Sequence, residues 1–217
     1  MLSTRDLSEL PDIESLRKRL QQMAALESVY AIDFGTASYD FQPNWTGSQQ
    51  LGVYKDGSGD ELFIHFLRAG CFIKGFAHES VMSPYKKKPP ALWPGLLSSV
   101  PEEFNVSLKE PAFDIAATTF AIWRRAADHE WHTDVIEFPS HDDADGSEDL
   151  LAHAVMSASD FAEWLAENYE TQVDATVVAG VFQNHPLNDA QLRRLNPSAS
   201  IAEMRKAVEQ TGYALSN

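Results

Sequence analysis

Residues 51–78, LGVYKDGSGDELFIHFLRAGCFIKGFAH, decide the fold. The short apolar runs 51–55 and 61–67 flank the turn sequence DGSG, and such turn residues between two strand-like runs are typical of a β-hairpin. A third apolar run, 71–78, follows a second turn that ends in glycine. We therefore expect a meander of at least three antiparallel strands.

The run 61–67 is apolar on both faces of the expected strand. Side chains alternate between the two faces of a strand, so its even-numbered residues share one face and its odd-numbered residues the other. These are Leu62, Ile64 and Phe66 on one side, and Phe63, His65 and Leu67 on the other. We therefore expect this run to be an inner strand of the sheet.

The chain before the meander is expected to form a helix and then a loop. Apolar residues recur at helical spacing from Pro11 to about Tyr30, which predicts an amphipathic helix that docks on a core. The segment 33–46 is rich in Gly, Ser, Asn and aromatic residues, and we expect it to be a loop.

The chain after the meander begins with a proline-rich connection. Six prolines between residues 83 and 111 predict a long link with at most short helices, one of which begins at Pro101. The run 118–125 regains strand character, and residues 135–138 are expected to pair with it.

Helical patterns dominate from Ser147 onward. Helix-capping residues precede four apolar segments, and a glycine ends the last one. They are Ser147, Ser157 with Asp160, Asn188 with Gln191, Ser200 with Glu203, and Gly212. The order of elements predicts a single α+β domain over 1–217, with a central antiparallel sheet of about four to six strands. Its parts are an N-terminal helix within 1–32, the sheet mainly within 50–138, and a helical cluster over 147–213.

The composition excludes several classes of function. The 217 residues contain 17 basic and 32 acidic side chains, which gives a net charge of −15. A nucleic-acid binder needs a surplus of Lys and Arg, and so does attachment to anionic lipid, so we expect neither partner. The chain shows no signal peptide and only one cysteine, Cys71, which is consistent with the cytoplasm. It has no glycine-rich phosphate motif, and we expect no cofactor.

The negative charge is concentrated in one stretch. Residues 127–174 contain 14 acidic side chains and no Lys or Arg. One interpretation is an acidic face that attracts a basic protein partner. The alternative is a solvated surface that maintains solubility. If the face binds a partner, we expect the contacts at Asp142, Asp143, Asp145, Glu148 and Asp149.

A second candidate site lies at the end of the third run of the meander. His78, Glu79 and Ser80 place a base, a carboxylate and a hydroxyl at a junction between strand and loop, a common position for catalytic residues. No G-x-S-x-G elbow surrounds the serine, and sequence neighbours rarely converge on one substrate atom. The alternative is a structural role in hydrogen bonding.

Two further patterns suggest metal binding only weakly. His129 and His132 are three residues apart in what we expect to be a turn with Trp131 packed inward, whereas helical zinc sites use a spacing of four. The loop 141–148 places His141 and Ala152 where a calcium loop needs acidic ligands. We therefore expect no metal.

Several phrases together resemble a group of uncharacterised bacterial proteins. They are GFAHESVMSPY (75–85), WPGLL (93–97), VPEEF (100–104), TTFAIWRR (118–125), DGSEDLL (145–151), LNP (195–197) and GY (212–213). This resemblance implies a bacterial cytoplasmic protein and transfers no catalytic residues. The helix, the sheet with tight hairpins and the acidic charge are also similar, in architecture alone, to SUKH-type immunity proteins.

Two functional hypotheses follow. The first is a non-enzymatic protein-interaction module, for example an immunity-type protein, which binds a basic partner through the acidic 127–174 region. The second is a small hydrolase or metal-assisted enzyme centred on His78 and Glu79, with His129 or His132 as further members.

Overall fold

The computed structural model describes residues 1–216 and contains helices on both sides of a central sheet in the sequence. The helices are α1 (Ile13–Phe34), α2 (Asn105–Leu108), α3 (Ser147–Ala154), α4 (Ala158–Asn168), α5 (Ala175–Phe182), α6 (Asp189–Leu195) and α7 (Ile201–Gln210). The strands are β1 (Tyr39–Thr46), β2 (Gln49–Lys55), β3 (Glu61–Leu67), β4 (Gly70–Phe76), β5 (Phe120–Arg125) and β6 (His132–Thr133). Short 3-10 helices occupy Pro84–Lys86, Glu102–Phe104 and Pro111–Phe113.

The six strands lie side by side in the order of the sequence, and each neighbouring pair is antiparallel. The turn between β2 and β3 is held by Asp56, whose Oδ1 accepts bonds from the amides of Ser58, Gly59 and Asp60. The meander and the predicted α+β class are confirmed, with an N-terminal helix, a central antiparallel sheet and C-terminal helices.

The sheet begins earlier than the sequence pattern predicts. The prediction that residues 33–46 form a loop is wrong for residues 39–46, because β1 occupies Tyr39–Thr46 and pairs with β2. Tyr39 and Phe41 point into the core, but Pro43 and an irregularity between Gln42 and Thr46 interrupt the alternation. Proline is tolerated on an edge strand, and here it hides the strand signal.

The prediction that residues 135–138 form a strand paired with β5 is also wrong. The segment that pairs with β5 is His132–Thr133, and Val135 is fully exposed. The buried carboxylate of Asp134 accepts bonds from the amides of Leu97 and Ser99, at 2.8 Å each. These bonds draw the chain toward the proline-rich connection and end the strand after two residues.

One face of the sheet is covered by α1 and the C-terminal helices. Leu62 and Ile64 of β3 lie in the main core with Leu16 and Leu20 of α1. A Cβ atom at Gly52 would lie 2.8 Å from Cδ1 of Leu20, so α1 packs directly on the backbone of β2. The predicted division of the β3 side chains between two faces is confirmed on this side.

The opposite face is covered by the proline-rich connection. Phe113 packs on Phe63 of β3 with ring centroids 5.1 Å apart, and Phe104 packs near Phe72 of β4. Each phenylalanine that is fully buried stabilises the fold by about 1.5–3 kcal/mol. The connection thus serves as the second cover of the sheet, with the short helix that begins after Pro101 confirmed.

A buried histidine joins this cover to the sheet. His65 is fully buried on β3, its Nδ1 lies 2.9 Å from the hydroxyl of Ser107 on α2, and its Nε2 lies 2.9 Å from Oε1 of Gln49. Burial lowers the pKa of His65 from 6.5 to about 4, so the imidazole is neutral in the folded protein.

We expect His65 to make the fold sensitive to acid. Between pH 6.5 and about 4 the unfolded chain binds a proton at this imidazole and the folded chain does not, so the free energy of unfolding decreases as the pH falls through this window. A His65→Leu variant has no imidazole at this position, so its stability does not change with pH in this way. The difference in free energy of unfolding between the native protein and the variant should therefore be smaller at low pH. Urea titrations at about pH 7 and about pH 4.5 measure the two differences; equal deficits at both values would contradict the prediction.

Candidate functional site

Several carboxylates of the acidic segment 127–174 are used inside the fold. Asp145 is only 2% exposed, and its carboxylate accepts a bond from Oγ1 of Thr4 at 2.5 Å and one from the amide of Ser147 at 3.0 Å. Asp143 accepts a bond from the amide of Glu148 at 3.1 Å. These two side chains hold the loop and the start of α3, and Asp145 is not accessible to a partner.

The start of α3 differs from the expected cap. The N-cap residue is Gly146, and Ser147 lies inside the helix, where its hydroxyl accepts a bond from the amide of Thr4. Arg5 donates to the carbonyl oxygens of His141 and Asp142. The loop therefore fastens the N-terminal segment, and its exposed carboxylates are those of Asp142 and Asp149, with Glu148 partly exposed.

Helix α4 presents the longest exposed row of carboxylates. The helix forms because Ser157 and Asp160 make the predicted capping box and because Phe161 and Leu165 are fully buried. On its opposite side Glu163 and Glu167, with Asp160 one turn before them, face solvent, and Glu170 follows just after the helix. Residues spaced by three and four share one side of a helix, so these carboxylates form one row.

The fold brings few positive charges to this segment. Among the residues that the structure describes, Asp174 pairs with Arg194 at 2.5 Å and Asp128 approaches His132 at 3.5 Å, and the α4 row makes no ion pair. Three further arginines reach the segment and donate to backbone carbonyls rather than to carboxylates: Arg5, Arg19 at Val155, and Arg124 at Asp128. Within the described residues, no positive side chain therefore pairs with the α4 row.

A groove of about 440 Å³ adjoins the end of α4. It runs between the end of α1, the segment 36–38, the β2–β3 turn and Tyr169. Phe34 lines it with 59% of its surface exposed, and its ring meets Tyr169 edge to face at 5.0 Å. Glu167 and Glu170 flank the groove residues Asn168 and Tyr169 in the chain. The groove thus combines an exposed aromatic side chain with charges of both signs at Lys55 and Asp56, and two carboxylates lie next to it in the chain.

A buried carboxylate shapes this groove. Glu27 of α1 is fully buried and accepts bonds from the amide of Ser38 at 2.8 Å, the amide of Tyr39 at 2.6 Å and the hydroxyl of Tyr169 at 2.7 Å. Burial raises the pKa of Glu27 from its usual range, although the three hydrogen bonds oppose the shift. Glu27 thereby connects both walls of the groove to α1.

The candidate catalytic residues form a small surface cluster. Nδ1 of His78 lies 2.5 Å from Oδ1 of Asp60, which also accepts the His78 amide, and Nε2 lies 3.4 Å from Oε1 of Glu79. The hydroxyl of Ser80 donates to the carbonyl of Ala144 and accepts the amide of Met82. These groups thus hold the loop after β4 against the β2–β3 turn and against the loop that contains Ala144.

The other histidines do not join this cluster. Across the sheet, Phe72 pairs with Trp123 and Trp123 pairs with His132, whereas His78 lies six residues beyond Phe72. At about 3.3 Å per extended residue, His132 and His78 are roughly 15 Å or more apart. His129 faces a separate cleft, and Trp131 packs inward as expected, with 8% of its surface exposed.

Within residues 1–216, no group of three or more His, Cys, Asp or Glu side chains is arranged to hold a metal ion. No helix in this range has the length and apolar character needed to cross a membrane. Comparison of the chain with protein-family models, curated proteins and solved structures found no match.

Sequence reasoning missed the groove and the residues that shape it. Phe34 belongs to the segment expected to be a loop, and Glu27 has no local signal because its partners lie 11 or more residues away. One available signal was Phe34 directly before Gly35, which ends α1 with a positive φ of 76°. Apolar residues beside a glycine C-cap often pack against a neighbouring residue, as Phe34 does against Tyr169.

We expect Asp60 to control the protonation of His78. The hydrogen bond from the imidazole to Asp60 is the main cause that raises the pKa of His78 above 6.5, and an Asp60→Asn variant should lower it toward that value. The ion pair contributes stability below the ordinary histidine pKa and loses it as the pH rises through the raised pKa. NMR titration measures the pKa of His78 in the native protein and in the variant. A larger decrease of this pKa in the control variant Glu79→Gln would contradict the role given to Asp60.

Proposed function

We propose that the protein is a non-enzymatic interaction module that binds a basic protein segment at the α4 surface. This surface consists of Asp160, Glu163, Glu167, Glu170 and the adjoining groove that Phe34 lines. The observation that carries the proposal is the row of carboxylates on α4, which has no positive partner among the described residues and borders an exposed aromatic side chain.

The row on α4 carries a small energetic cost in the free protein. Like charges spaced by three or four residues on a helix destabilise it by about 0.2–0.5 kcal/mol per pair. Asp160, Glu163 and Glu167 make two such pairs in succession. A surface selected for stability alone mixes both signs of charge, so the uniform sign supports a role in binding.

The groove supplies the apolar part of an interface. Binding energy concentrates in a few central aromatic contacts that a polar rim shields from water. Phe34 is the exposed aromatic side chain of the groove. Lys55 and Asp56 also line it, and Glu167 and Glu170 lie beside its lining residues in the chain. The matching partner is a segment with Lys or Arg residues around at least one apolar side chain.

The proposal includes a biological context, namely a bacterial cytoplasmic protein with a basic partner. The resemblance described above implies a bacterial cytoplasmic protein, and an immunity-type protein that captures a basic toxin is one concrete form of such a module. Negative charge on the module accelerates the encounter with a basic partner and gives the binding a steep dependence on salt. Asp142, Glu148 and Asp149 contribute to the same negative field.

Binding of a defined probe tests the proposal. We expect the peptide KKLFKKLFKK to bind in calorimetric titrations, more weakly as the ionic strength rises from about 0.05 M to about 0.3 M. A Glu163→Lys/Glu167→Lys variant should bind it about tenfold more weakly. The matched control Glu9→Lys/Glu102→Lys makes the same change of net charge at exposed carboxylates that the structure shows outside the α4 surface.

Two results would overturn the proposal. One is an equal loss of affinity in the control variant, since that would reduce the effect to net charge. The other is equal binding of a peptide in which serine replaces every leucine and phenylalanine, since the groove would then contribute nothing. A Phe34→Ser variant should abolish the preference for the apolar peptide.

We also expect the α4 row to limit stability. Glu163→Gln removes two like-charge pairs and should raise the free energy of unfolding by about 0.4–1 kcal/mol at low ionic strength. Glu14→Gln serves as control, because Glu14 pairs with Arg17 at 2.7 Å and Lys18 at 3.4 Å, and its loss should lower stability. Urea titrations at low and high salt measure both variants; a destabilised Glu163→Gln variant would contradict the prediction.

A further inference from the structure

A separate cleft of about 440 Å³ opens at the other end of the sheet. It lies between the N-terminal segment and the turn that joins β5 to β6. Its apolar wall is formed by Leu7, Leu10 and Trp131, and its polar groups include Ser8, Arg124 and His129. A volume of this size is within the range of pockets that hold small ligands, which is about 300–1,000 Å³.

Arg124 is the central group of this cleft. It lies on β5 with the same orientation as Phe120 and Ile122, so it faces the side of the sheet that α1 covers. Its Nε donates to the carbonyl of Asp128 at 3.0 Å, and its guanidinium lies 5.9 Å from the centre of the Trp131 ring. In the part of the chain that the structure describes, its Nη groups make no hydrogen bond or ion pair.

The surroundings hold this arginine in place. Trp131 is fixed by a hydrogen bond from its Nε1 to the carbonyl of Pro11 at 2.8 Å. The bond from Arg124 to Asp128 fixes the plane of the guanidinium and leaves the outer Nη edge available. A fixed guanidinium edge matches a carboxylate, because two parallel N–H groups can donate to its two oxygens.

Nearby acidic groups restrict the charge of the ligand. Glu130 lines the cleft, and Asp12 lies close enough for Arg124 to help lower its pKa, after the larger effect of the hydrogen bonds from Ser15. The Asp12 carboxylate is occupied by the amides of Glu14 and Ser15. Two nearby carboxylates disfavour a second negative charge on a ligand bound to the guanidinium, so a monoanion fits this cleft better than a phosphate dianion.

We propose that this cleft binds a small monocarboxylate with an apolar body, the carboxylate on the Nη edge of Arg124 and the body against Leu7, Leu10 and Trp131. The inference is independent of the α4 surface, since the cleft shares no lining residue with the groove at Phe34. Trp131 is the natural reporter, because its indole lies in the wall of the cleft.

NMR titration with phenylacetate tests the site. We expect a saturable shift of the Trp131 indole signal, assigned with a Trp131→Phe variant, and no saturable shift with inorganic phosphate. An Arg124→Gln variant should bind phenylacetate about tenfold more weakly, since a hydrogen bond to a charged group is lost. The control Arg125→Gln alters the next residue, whose Nε pairs with Glu103 outside the cleft, and should bind normally.

The neutral isostere phenylacetamide keeps the test decisive if Arg124→Gln unfolds the turn. In the native protein it should bind at least about tenfold more weakly than phenylacetate, because it carries no charge for the guanidinium. Equal binding of the amide, or no saturable shift with phenylacetate, would overturn the proposal. Either result would leave the peptide experiments at the α4 surface unaffected.

Discussion

The structure depends on a sheet whose central strands are apolar on both faces. Such a sheet is stable only when each face is covered, and a chain of this length has to provide both covers itself. One cover is α1 with the C-terminal helices, and the other is the proline-rich connection with Phe104 and Phe113. The connection has little regular structure and covers the sheet with a few aromatic side chains. His65 binds it to the sheet through a hydrogen bond with Ser107.

The acidic residues divide into two groups with different physical roles. Asp134 and Asp145 are buried and satisfied by backbone amides and hydroxyls, so they direct the path of the chain. The α4 residues are exposed and lack positive partners among the described residues. Net charge by itself does not distinguish these groups. The distinction matters for function, because only the second group can attract a partner without unfolding a loop.

The sequence predicts those parts of the fold that local chemistry specifies. The β2–β3 turn and the capping boxes at Ser157 and Asn188 are correct because each rests on bonds between residues within a few positions. Strand β6 was misplaced because Asp134 obtains its partners from residues 97–99, far away in the sequence. The candidate surface shows the same limit. The charge of α4 is visible in the sequence, whereas the groove needs Glu27 to bring distant segments together.

The packing of α1 has a consequence for synthesis on the ribosome. This helix emerges before the sheet, and its apolar side finds β1 and β2 within a short further length of chain. Its contacts with α5 and α7 form only after residues 175–210 have been made. Until then one flank of α1 stays exposed, and a chain with exposed apolar surface is vulnerable to aggregation. Among the described helices, α7 is translated last, and its packing on α1 therefore closes the core.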